Sequence, residues 1–148
     1  MGKASRAKRE RQALRTLYHF TSLHHLPAIL QSGELRPTDS LVDGVPGLWF
    51  LDIPSAAQPH GLDGSSVDKR AVRITVRARA EHWLTWVKTQ PIHPVFKDSY
   101  IKTGGGLDAA KHWYMTLGPV PRSQWVAVEQ RLSDGSYGPI DDRVMALL

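Results

Sequence analysis

The run Leu17-Tyr18-His19-Phe20-Thr21-Ser22, followed at once by Leu23-His24-His25-Leu26-Pro27-Ala28-Ile29-Leu30-Gln31-Ser32-Gly33, decides the reading of this chain. It predicts a short strand over Leu17 to Thr21 that feeds a capped helix. A strand alternates its faces, so Leu17, His19 and Thr21 point one way and Tyr18 and Phe20 the other. In the next segment Leu23, Leu26, Ile29 and Leu30 keep one stripe at helical spacing. Pro27 fits only the first turn of a helix, which places the regular part from His25 or Leu26. Gly33 is placed as its stop. Polar side chains paired on one strand face beside an apolar helix suggest a ligand wall.

Working outward, residues 35 to 46 read as a loop with a short extended piece. Gly47 to Asp52 reads as a strand, and Ile53 to Lys69 as a long polar loop of the kind often tied to function. Val72, Ile74 and Val76 alternate with Arg73, Thr75 and Arg77, the pattern of a half-buried strand over Lys69 to Arg77. Ala80 to Thr89 is expected to be helical, with Trp83, Trp86 and Val87 on one side. Lys102-Thr103-Gly104-Gly105-Gly106 lacks the order of a phosphate-binding P-loop and reads as a flexible turn. A short helix is expected over Leu107 to Met115, a turn over Pro119 to Arg122 and a strand over Gln124 to Leu132. That strand would set Trp125, Ala127 and Glu129 on one face, and the tail would add a final strand. Short strands interspersed with helices indicate an α+β domain.

At 148 residues and 41% hydrophobic content the chain has the size and composition of one globular domain. It has no cysteine, which excludes disulfides and thiolate metal sites and is compatible with a cytoplasmic location. No apolar run approaches the roughly 18 residues of a membrane span, so no membrane partner is expected. The net charge is +5. Much of the excess lies in Lys3, Arg6, Lys8, Arg9, Arg11 and Arg15, opposed there only by Glu10. Residues 1–15 therefore read as a basic arm, able to neutralise phosphates of DNA or RNA or simply to be solvated, ahead of a single domain over 16–148.

A neutral imidazole both donates and accepts, as does a threonine hydroxyl, so His19 and Thr21 side by side could hold ribose hydroxyls. By spacing alone, a satisfied core histidine is the more ordinary reading. The motifs Tyr18-His19-Phe20-Thr21, Leu26 to Leu30 with Gly33, Gly47 to Leu51, and Pro119 to Glu129 together resemble those of ADP-ribosyltransferase-fold proteins, close to the DarT-like toxins. The resemblance implies a split β-sheet core and NAD as substrate, with no metal. His19 would contact the NAD ribose and share the catalytic site with Glu129. Thr21 and His25 would line the same pocket, and Trp49 or Phe50 would stack on nicotinamide. Glu129 would stabilise the positive charge that builds on the sugar as the nicotinamide bond breaks.

Ala127 stands where many protein-modifying members carry Gln or Glu. That favours a nucleic-acid acceptor over a protein one. The expected function is NAD-dependent ADP-ribosyl transfer to a macromolecule. The rivals are a non-catalytic nucleic-acid-binding module on a decayed transferase fold and an RNA 2′-phosphotransferase, which shares fold and NAD but works through basic residues. The other histidines, His24, His60, His82, His93 and His112, form no metal-ligand pattern.

Overall fold

The computed structural model describes residues 13–55 and 68–141. Their architecture is α+β with a mostly antiparallel sheet and few helices; every strand pairing among them is antiparallel. Strands β1 (Leu14–Thr21), β4 (Val45–Leu51), β5 (Val72–Arg79), β6 (Glu81–His82), β7 (Trp113–Thr116), β9 (Trp125–Arg131) and β10 (Tyr137–Pro139) form the main sheet in the order β10-β9-β5-β1-β4-β7-β6. Strand β3 (Asp39–Val42) pairs with β4. Strands β2 (Glu34–Leu35) and β8 (Val120–Pro121) make a separate ladder. The helices are α1 (Leu26–Ser32), α2 (Trp83–Val87), α3 (Pro94–Thr103) and α4 (Leu107–Ala110).

The sheet has a seam. β1 pairs with β5 along its whole length, from Leu14 opposite Arg79 to Thr21 opposite Val72. With β4 it meets in register only at Tyr18 and Leu51. Two apolar cores form on opposite faces of the sheet. Leu17, Leu26, Leu48, Phe50, Val72, Ile74 and Val76 pack under α1. Phe20, Leu51, Trp83, Trp86, Val87, Trp113 and Met115 pack under α2 and its neighbours. The alternation of β5 produces the first core directly: Val72, Ile74 and Val76 are fully buried, while Arg77 and Arg79 are exposed.

Helix α1 has its predicted limits. Pro27 lies in its first turn, and Gly33 closes it at φ 73°, a left-handed conformation that costs glycine little. The Arg122 backbone N–H donates to Gly33 O at 2.9 Å and its guanidinium to Leu30 O at 2.6 Å. These bonds anchor the end of α1 to the turn that follows β8, and Ile29 and Ser32 line the seam.

Several expectations are corrected. β1 starts at Leu14, so Arg15 is a sheet residue opposite Ala78, its guanidinium 5.2 Å from the Tyr114 ring centre, and not part of an arm. Lys3, Arg6, Lys8, Arg9 and Arg11 lie outside the described residues. The helix expected over Leu107 to Met115 stops at Ala110, because Trp113 and Met115 alternate inward as β7. Residues 94–103, expected in part as a turn, form α3. That helix buries none of its side chains fully, which is why no apolar stripe announces it.

Candidate functional site

A cleft of about 660 Å³ opens along the seam, within the usual range for a small-molecule site. His19 and Thr21 line it from β1, His25 and Ile29 from the start and body of α1, and Trp49 and Phe50 from β4. Tyr100, Gly104 and Trp113 close the aromatic end. The five residues expected to bind a cofactor, His19, Thr21, His25, Trp49 and Phe50, thus lie on one cavity. Trp49 and Phe50 both reach it although they pack against different cores on opposite faces of β4.

His19 is held tightly. Its Nδ1 lies 2.8 Å from the Trp49 carbonyl oxygen. A carbonyl only accepts, so Nδ1 carries the hydrogen and Nε2 keeps a lone pair in the neutral ring. Burial pushes the imidazole pKa down; the Trp49 hydrogen bond and the charge of Asp39 pull it up less strongly, and Lys69 adds a further downward push. The Phe50 ring, 5.6 Å away between centres, packs against it. His19 is therefore a neutral hydrogen-bond acceptor in the wall of a cleft. His25, at the N-cap of α1, is tied to Ser22, whose Oγ is 2.7 Å from Nδ1.

Trp49 belongs to an aromatic cluster, with ring centres 5.5 Å from Trp83 and 5.4 Å from Trp113. Its indole N–H donates to Ser40 O at 3.2 Å. Trp83 is fully buried and donates to Leu41 O at 3.0 Å, which fixes β3 over the cluster. Gly104 is packed so closely against the Trp113 ring that any side chain there would collide with it.

Glu129 is placed elsewhere. It does not line the cleft. It lies opposite Arg73, which lies opposite Phe20, whereas His19 lies opposite Ile74; Glu129 and His19 therefore occupy opposite faces of the sheet. Arg73 Nη2 donates to Glu129 Oε1 at 2.8 Å, and Nη1 donates to Pro54 O at 2.8 Å. The guanidinium is packed near the Tyr137 and Tyr18 rings, 4.6 and 5.4 Å from their centres. The register of β9 also shifts: Ala127 faces Thr75 and Trp125 faces Val76, with Val126 bulged out between them. Trp125 therefore does not share the face of Ala127 and Glu129, as strict alternation would require.

Other residues reach the cleft without having been singled out from sequence: Glu34, Arg36, Asp39, Ser40, Lys69 and Tyr100 among them. Glu34 is paired with Arg36 at 3.2 Å. Among the described residues the carboxylates of the cleft are thus Glu34, directly after the Gly33 that closes α1, and Asp39, from the stretch that read as loop. The only available signal was its short extended piece, which becomes β2 and β3. Among the described residues no group of three or more potential ligands could hold a metal ion, and no helix is long and apolar enough to cross a membrane. No family model matches the chain, and neither a curated protein nor a solved structure matches it.

Proposed function

We propose that the seam cleft binds NAD and that the protein transfers its ADP-ribosyl group to a macromolecule, with nucleic acid as the preferred acceptor, on an ADP-ribosyltransferase-like split-sheet core. One observation carries the reading: His19, fixed as a neutral acceptor by the Trp49 carbonyl, shares a nucleotide-sized cleft with Thr21, His25, Trp49 and Phe50. Ribose hydroxyls suit His19 and Thr21, and a planar base suits the aromatic wall. In the transfer, the bond from ribose C1′ to the nicotinamide nitrogen breaks, neutral nicotinamide leaves with the bonding pair, and the acceptor's nucleophilic atom bonds to C1′ as its proton passes to solvent. Positive charge grows on the sugar meanwhile, and a carboxylate in the cleft stabilises it. Asp39 suits that role, since it lines the cleft and its charge acts on His19. Glu129 suits it less, because it is engaged by Arg73 on the other face.

A row on the face opposite α1 supports the choice of acceptor. Leu14 and Arg79, then Thr16 and Arg77, then Tyr18 and Thr75 follow one another as cross-strand pairs, and Tyr18 lines the cleft. Arg77 is exposed and donates to Thr16 Oγ1 at 3.1 Å. Arginines leading to an aromatic at the cleft mouth suit a nucleic-acid strand.

The test is calorimetric NAD binding together with release of nicotinamide. His19→Gln should abolish both, Asp39→Asn should abolish release while sparing binding, and Glu129→Gln should leave binding intact. Absence of binding by the unmodified protein at millimolar NAD would reject the reading. The Glu129–Arg73 pair favours one alternative, a nucleotide- and nucleic-acid-binding module without transfer; it predicts binding of NAD with no nicotinamide release.

A further inference from the structure

Ser22 is buried, and both hydrogen bonds of its hydroxyl go to His25. Oγ accepts the His25 backbone N–H at 3.1 Å and lies 2.7 Å from the ring Nδ1. The hydroxyl has one hydrogen to give, and Nδ1 is the acceptor within reach. The reverse arrangement, with Nδ1–H donating to Oγ, leaves a buried hydroxyl hydrogen with no acceptor among the described residues. A neutral imidazole that accepts at Nδ1 carries its hydrogen on Nε2. His19 is the opposite case: Nδ1–H donates to Trp49 O and Nε2 accepts. Two imidazoles of opposite tautomer therefore line one cleft, each fixed by a partner in the fold.

We propose that Ser22 is a positioning residue that holds His25 as an N–H donor, and that the cleft is built for a ligand offering a hydroxyl hydrogen to His19 and an acceptor oxygen to His25. A phosphorylated ribose supplies both. The ligand rests on the nucleotide reading given above; the tautomer does not.

The experiment uses the full chain labelled with nitrogen-15. Long-range proton–nitrogen spectra of the unliganded protein should show His25 with Nε2 protonated and Nδ1 bare. Ser22→Ala should average the two nitrogens, and Ser22→Thr should restore the single tautomer; circular dichroism checks that each variant is folded. By calorimetry, Ser22→Ala should weaken ribose 5-phosphate and ADP-ribose about twofold, as expected when the donor tautomer is populated about half the time, and leave unphosphorylated ribose unchanged. In a His25→Gln background, where the side-chain amide always carries N–H donors, Ser22→Ala should have no further effect. A His25 protonated at Nδ1 in the unmodified protein overturns the role of Ser22. Equal weakening of ribose and ribose 5-phosphate overturns the donor–oxyanion pairing. The expected tautomer with no sugar-phosphate binding overturns the ligand and the nucleotide reading while leaving Ser22 as the positioning residue.

Discussion

At the scale of single residues, His19 and Glu129 show how much a side chain's partner decides. Burial lowers the pKa of His19, so the folded protein keeps it neutral where the unfolded chain, with an ordinary value of about 6.5, takes up a proton. Stability linked to this group is present above pH 6.5 and is lost as the pH falls below it. The urea midpoint should therefore drop more between pH 7.5 and 5.5 in the unmodified protein than in His19→Gln, whose side chain does not titrate. NAD affinity of the unmodified protein should stay flat from pH 8 to 6.5. Glu129 answers to Arg73. Both side chains are mostly buried, at 24% and 16% exposure, and removing the charge on Glu129 leaves the guanidinium without its carboxylate. Glu129→Gln should cost about 2 kcal/mol in a urea titration, less than the loss from a wholly buried pair.

At the scale of elements, the turn after α3 and the bulge in β9 set what faces the cleft. Gly104 has an ordinary φ of −85°, so its requirement is space and not backbone conformation. Gly104→Ala should push the Trp113 ring out of place, lower stability by about 1–3 kcal/mol as overpacking does, and shift the tryptophan emission. An unchanged melting temperature and spectrum would show that the ring moves freely. The bulge acts through register. One extra residue at Val126 turns Trp125 toward the core under α1 while Ala127 and Glu129 keep the other face. A period-two reading of Trp125 to Glu129 cannot detect it, because the shift is fixed by pairing with Thr75 and Val76 on another strand.

At the scale of the molecule, the seam joins the site to the open face of β5. Arg77 and Arg79 lie on that face next to the start of β1. Exchange of both for serine should weaken binding of a short single-stranded oligonucleotide and flatten its salt dependence by about 1.4 in slope, at about 0.7 per phosphate contact. Fluorescence anisotropy across a salt series reads this directly. The same change made at Lys88 and Lys102 on exposed helix ends should leave the slope unaltered.

Local chemistry made several parts of this protein legible without coordinates. The alternation of Val72, Ile74 and Val76 marks a strand because side chains alternate with the pleat. Pro27 and Gly33 bound a helix because each restricts the backbone in its own way. His19, Thr21, His25, Trp49 and Phe50 are named as wall residues by motif resemblance, whereas spacing alone favours a core histidine. Tertiary structure decided the rest. Asp39 and Tyr100 reach the cleft only because β3 and α3 close over it. The face of Glu129 depends on pairing between strands more than 50 residues apart. The tautomers of His19 and His25 depend on a carbonyl 30 residues away in one case and on a buried serine in the other. Propensity and period are properties of neighbours in sequence; register, seam and hydrogen-bond partner arise only where distant segments meet.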